Sequence, residues 1–142
     1  MRDSRLVNVT IHVGANIFVE QCPETQEENE YMESVSYSSA MVRMMYAIIC
    51  TRPDISQAMG VLSRYMMTPG KEHWTDVERV FRYLHGTIDQ TIYYQGKLGS
   101  NRQVNVHGFF DSNWVGDVNG RRSTNGHVFK IFSVAFSWMS RR

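Results

Sequence analysis

An acidic side chain stands at the end of an apolar, alternating stretch: Asp111 in FFDSNWVGD (Phe109–Asp117). A strand end projects its carboxylate rigidly, and hard divalent ions such as Mg²⁺ prefer such oxygens. Two-metal phosphodiester cleavage needs several carboxylates converging, with the metals ~3.5–4 Å apart. Asp117 lies six residues further on in a glycine-containing loop, and Asn113 offers only a neutral carbonyl. On local sequence, capping and hydrogen-bonding of the loop is the stronger reading for both aspartates. No glycine-rich phosphate loop, zinc-ligand spacing or serine-nucleophile elbow occurs. His12, His73, His85, His107 and His127 are scattered, and none lies at ligand spacing from a cysteine. They read as surface or packing residues.

The chain that must position Asp111 has 142 residues, is 42% hydrophobic and carries a net charge of +1. That suffices for one ordinary domain or two incomplete ones. The charge is uneven. Residues 1–33 hold seven acids against two bases, a net of −5, and the remainder carries +6. A mildly basic body behind an acidic lead-in fits either an ordinary solvated surface or a weak nucleic-acid surface. Cys22 and Cys50 make no disulfide framework, and Cys50, in an apolar run, is expected to be a small buried hydrophobe. The longest apolar run, Met44–Cys50, is too short to cross a bilayer, and no signal peptide is visible. An intracellular protein, cytoplasmic or nuclear, with no membrane partner and no small-molecule substrate, is the expectation.

Periodicity divides the chain into three stretches. Residues 1–35 read as a poorly structured lead-in, with an alternating strand at Val7–Val13 and an acidic linker around Pro23. Residues 36–87 carry three amphipathic helices. Tyr37, Met41, Met44, Met45, Ile48 and Ile49 fall on one stripe behind Ser36 as cap. Pro53 opens a second helix with Ile55, Ala58, Met59, Leu62 and Tyr65–Met66 inward, and Pro69-Gly70 stops it. A third runs from Lys71 to His85, burying Trp74, Val77, Val80, Phe81 and Leu84, and closes at Gly86. Three such helices with short joins predict a small bundle. Over residues 88–142 the period falls to two, predicting strands at Thr91–Gly96, Val104–Asp111, Gly126–Phe132 and Val134–Ser140. The last three form the opening meander of a sheet with an unfinished face and edge. The fold class is therefore α+β.

CTRPDI, RYM, PGKEHW and FRYLHGT, in that order between Cys50 and Thr87, followed by NWVGD and RRST, resemble copia-type retrotransposon Pol polyproteins. Residues 37–87 are similar to the thumb or connection region behind their polymerase palm. Residues 109–141 look like the first three strands of their ribonuclease H domain. The resemblance implies an ancestral role in reverse transcription and RNA–DNA hybrid degradation. It also reverses the reading of Asp111, which matches the first-strand aspartate that binds catalytic Mg²⁺ in that domain. The family's second carboxylate, a glutamate on a helix after the third strand, has no counterpart, and no Asp-Asp pair of a polymerase site occurs. Asp111 is thus expected to be a remnant, Mg²⁺ not to be retained, and the chain to be a truncated, catalytically inactive piece with a new start at Met1.

Four positions depart from the family pattern. Val42 and Arg43 stand where glycine and serine are common, predicting an overpacked helix crossing. Asn113 replaces an aspartate and His127 a tyrosine. Two alternatives accompany the inactive reading. In the first, Arg64, Lys71, Arg79, Arg82, Arg121 and Arg122 contact the phosphates of an RNA–DNA hybrid or DNA, with Trp74 or Trp114 stacking. In the second, the chain is a recruited interaction or effector-like protein, since RYLH (Arg82–His85) faintly echoes the arginine–leucine motif of secreted effectors.

Overall fold

A computed structural model of the chain describes residues 7–10, 22–94, 104–113 and 123–141. Among these residues there are four α-helices and one three-stranded antiparallel sheet, an α+β chain. Two compact units divide it, Met1–Asp89 and Gln90–Arg142.

The first unit opens with a helix inside the acidic segment expected to be linker: α1, Gln26–Glu33. Its N-terminus explains the correction. Thr25 Oγ1 accepts the Glu28 N–H at 3.2 Å. Glu28 Oε2 in turn accepts the N–H groups of Thr25 and Glu24, at 3.2 and 3.0 Å. This T-x-x-E capping box satisfies otherwise orphaned donors, and acids in the first turn suit the positive helix end. Those backbone N–H groups hold the Glu28 carboxyl below its usual range. Met32 anchors α1 to the core.

The three expected helices follow. α2 spans Tyr37–Cys50, and Ser36 precedes it without making a side-chain cap bond. α3 spans Ser56–Leu62 between 3₁₀ turns at Pro53–Ile55 and Ser63–Tyr65, with proline in the first turn as its geometry favours. α4 spans Lys71–Gly86. The core consists of Tyr37, Met41 and Met44 of α2, Ile55, Ala58, Met59 and Leu62 around α3, Tyr65, and Val77 and Val80 of α4. Tyr37, a ring inside this core, donates its hydroxyl to the Leu62 carbonyl at 2.9 Å. Burial, then Asp76 and Tyr65, push its ionisation well up. Trp74 is half-buried, packed on the core and tilted against Tyr37 at 6.4 Å.

Three expectations fail on α2 and one before it. Met45 and Ile49 are exposed, Ile49 at 69%, because the buried stripe follows Tyr37, Ala40, Met41 and Met44 instead. Cys50 is exposed for the same reason, at the end of the outward side. Val42 and Arg43 are exposed too, so they overpack no crossing. Val7–Thr10 form no strand, and Val9 instead offers its carbonyl to Arg79 Nε at 3.3 Å. Residues 11–13 of that expected strand lie outside the described residues.

The second unit is a meander, β1 (Val106–Asn113), β2 (Thr124–Ile131) and β3 (Val134–Arg141), in the order β1-β2-β3. Asp111 pairs with Gly126 and Phe110 with His127, while Val128 pairs with Trp138. Gly108 faces Phe129, and a Cβ at Gly108 would meet the Phe129 ring at 2.8 Å. That approach requires glycine. β2 and β3 join through Phe132 and Ser133, whose φ values of 48° and 71° suit a tight hairpin but not these side chains. Thr91–Tyr94 form no strand, and Tyr94 reaches β3 through its side chain. Its hydroxyl donates to the Ala135 carbonyl at 2.7 Å. Residues 95–96 of that expected strand lie outside the described residues.

Candidate functional site

Asp111 lies near the C-terminal end of β1, exposed, on one face with His107 and Phe109 of β1 and Val128 and Lys130 of β2. Lys130 Nζ sits 5.1 Å from the Phe109 ring centre, its charge over the aromatic face rather than directed to Asp111. No other acid occurs in the three strands. Among the described residues, no group of three or more His, Cys, Asp or Glu side chains could hold a metal ion. One carboxylate does not fit a Mg²⁺ pair, which requires several converging oxygens. Asp117, Trp114, Arg121 and Arg122 lie outside the described residues.

The basic candidates on the helices are partly gathered. Lys71, Arg79 and Arg82 fall on one side of α4 by helical spacing, and Arg64 stands apart in the turn after α3. Their charges also serve the fold. Lys71 Nζ lies 5.8 Å from the Tyr31 ring centre, and Arg79 donates to Val9. Arg82 has its Nε buried without a hydrogen-bond partner among the described residues.

The most developed polar cluster joins residues of the CTRPDI and FRYLHGT motifs that the sequence assigned to no site. Arg52 is buried and grips Asp54 with two nitrogens, Nη2 at 2.7 Å and Nε at 3.0 Å. Nη2 also donates to Thr87 Oγ1 at 2.6 Å, reaching from the start of α3 to the end of α4. Tyr83 closes the ring, donating its hydroxyl to Asp54 Oδ2 at 2.8 Å, with the guanidinium 5.5 Å from its ring centre. The bond to Asp54 raises the Arg52 pKa above its usual value. Burial alone would push the Asp54 carboxyl up, but the bonds from Arg52 and Tyr83 outweigh it and hold it below the usual range. Burial and the bond to Asp54 raise the Tyr83 phenol. Such a fully occupied bidentate pair positions helices and leaves no group free for chemistry. Its local signal was the Arg-Pro-Asp spacing; the partners 29 and 35 residues away gave none.

A second motif contact lies at the other end of α4. His73 is completely buried, its Nδ1 accepting the Gly70 N–H at 2.8 Å, so the imidazole caps the helix. It stacks on Tyr65 with ring centres 3.9 Å apart. CTRPDI and FRYLHGT therefore meet in the Arg52 clasp, and RYM and PGKEHW meet in this stack. RYLH lies inside α4, with Tyr83 committed to Asp54.

Comparison with known proteins accords with these motifs. The chain is 37% identical over 141 residues to the retrovirus-related Pol polyprotein from transposon TNT 1-94 of Nicotiana tabacum, covering 99% of this chain and 10% of that protein. It is 31% identical over 134 residues to the Pol polyprotein from transposon RE2 of Arabidopsis thaliana, covering 94% and 8%. The chain belongs to the copia-type retrotransposon Pol family. It spans a tenth or less of the length of those two Pol relatives. A protein named secreted RxLR effector protein 161, from Plasmopara viticola, is 39% identical over 111 residues, 78% of this chain and 75% of that protein. No family model and no solved structure matches. Among the described residues, no helix is long and apolar enough to cross a membrane.

Proposed function

We propose that this Pol-family chain corresponds to the passage from the polymerase into the ribonuclease H domain. Residues 37–87 act as a thumb or connection-like bundle, and β1–β3 are the opening strands of a ribonuclease H-like fold. Alone, the chain is catalytically inactive. The observation that carries this reading is Asp111, the one acid of the three described strands, exposed on β1 of an antiparallel meander. Its position suits the metal-binding aspartate of such a domain, and its isolation suits the absence of a working site. The test is a labelled RNA–DNA hybrid incubated with the chain and Mg²⁺. No cleavage is expected; Mg²⁺-dependent cleavage that Asp111→Asn abolishes would overturn the inactive reading.

A second reading, residual binding of RNA–DNA duplex, is favoured by Lys71, Arg79 and Arg82 on one side of α4. Such binding weakens steeply with added salt, because phosphate neutralisation releases counterions. A mobility shift at low salt that Arg79→Ala and Lys71→Ala diminish would support it, and no shift at low salt would remove it.

A further inference from the structure

The basic side of α4 meets an acidic element at its head. Lys71, the first residue of α4, holds its Nζ 5.8 Å from the ring centre of Tyr31 on α1. It also attracts Glu28, adding to the backbone N–H groups of Glu24 and Thr25 that hold that carboxyl low. Met32, the next residue after Tyr31, is buried in the core and fixes α1 where it lies. From Glu24 to Glu33 the chain carries five glutamates and no lysine or arginine. We propose that α1 is a built-in competitor for nucleic-acid phosphate, its Glu28–Tyr31 side occupying Lys71 until a duplex displaces it.

Helical spacing sorts the acids. Glu27 and Glu28 stand one turn before Tyr31 and share its side of α1. Glu24 is held at the same end, its N–H donating to Glu28 Oε2 at 3.0 Å. Glu33, two residues past Tyr31, falls on another side, and Glu30 accepts from Gln26 Nε2 at 3.2 Å. A carboxylate and an aromatic face both attract an ammonium, and the glutamates repel an approaching phosphate backbone. Lys71, Glu28 and Tyr31 are all exposed, so each attraction is weak and a duplex can displace it. Arg79 and Arg82 lie about two and three turns further along α4, so α1 covers only the head of the basic side. The inference rests on the duplex-binding reading of Lys71, Arg79 and Arg82, and adds a regulator to it.

Binding of a labelled RNA–DNA hybrid to the full chain at low salt tests it through two charge-matched variants. Glu24→Gln with Glu27→Gln removes two charges beside Lys71 and leaves the Thr25–Glu28 capping box intact. Glu30→Gln with Glu33→Gln removes two charges away from it. The first pair should tighten binding about threefold and the second much less, because screening confines the effect to near neighbours. Lys71→Ala should then weaken binding more in the first variant than in the unaltered chain, because neutralisation releases the ammonium for phosphate. Equal tightening by both pairs would reduce the effect to net charge and overturn the inference. No tightening by either, while Arg79→Ala still weakens binding, would overturn it too; the duplex-binding reading survives both results. Failure of every variant to shift the hybrid overturns that reading and the inference together. Far-ultraviolet dichroism of each variant separates release of Lys71 from unfolding of α1.

Discussion

The helical unit and the sheet unit reach opposite solutions with similar material. Every buried side chain among the described residues lies between Met32 and Val80. The sheet buries none, leaving Val106, Phe109, Phe110, Phe136 and Met139 exposed although Phe129 makes ring contacts with Phe110, His127 and Phe136. Helices α1–α4 bury one another's apolar side chains, whereas β1–β3 form a single layer. Residues that mark the family in the helical unit are accordingly spent on closing it. In the sheet, Asp111 stands exposed, and no second acid occurs in β1, β2 or β3.

The largest expected effect breaks that contrast at the core. Leu62→Ala should destabilise the helical unit by about 3–4 kcal/mol, because a fully buried leucine leaves a cavity. Phe110→Ala, a larger truncation on the exposed sheet face, should cost less than about 1 kcal/mol. Thermal unfolding followed by far-ultraviolet dichroism measures both. If the two substitutions cost the same, the contrast fails.

Next comes the clasp. Arg52→Ala should cost about 2–3 kcal/mol, since Asp54 keeps only Tyr83 and the Thr87 hydroxyl loses its donor. Arg52→Lys should recover less than half, because an ammonium cannot grip Asp54 bidentately and reach Thr87 as well. Urea midpoints of the two variants decide this; full recovery by lysine would reduce the clasp to a simple charge pair.

This cluster also marks the limit of what could be read from the sequence. The spans of α2 and α4, the position of β1 and the meander order were legible because hydrophobic periods of 3.6 and 2 and the Pro53, Pro69 and Gly70 breaks are local signals. Thr25 and Glu28 at capping-box spacing were equally local, but the surrounding acids hid them behind an expectation of disorder. Which side of α2 faces inward was not legible, because Met45 and Ile49 are as apolar as Met41 and Met44 and only packing distinguishes them. The partners of Arg52 were invisible for the same reason. For the site, Asp111 could be picked out from its strand and motif, but its isolation on a sheet face required the register.

A smaller effect sharpens the comparison from the acid side. Asp54 has a carboxyl pKa lower in the fold than in the unfolded chain, so it adds stability above the ordinary carboxylate range and loses it as pH falls through the folded value. Helical-unit stability should therefore decline between about pH 5 and pH 2. Asp54→Asn should flatten part of that decline while lowering stability at neutral pH. Urea unfolding across the range reads both, and an unchanged slope would contradict the role assigned to Asp54.

The smallest expected effect is a gain. Ser133→Gly relieves a left-handed backbone at φ 71° in the β2–β3 turn and should stabilise the sheet by about 1 kcal/mol without touching the helices. Amide exchange in β2 and β3 would register it.

Hydrogen exchange of the intact chain tests the central claim most directly. Amides of α2, α3 and α4 should exchange only through global opening of their unit, while those of β1–β3 exchange through openings of much lower free energy. Equal protection of the two units, or greater protection of the sheet, would contradict a contrast between a buried helical core and strands that bury no side chain among the described residues.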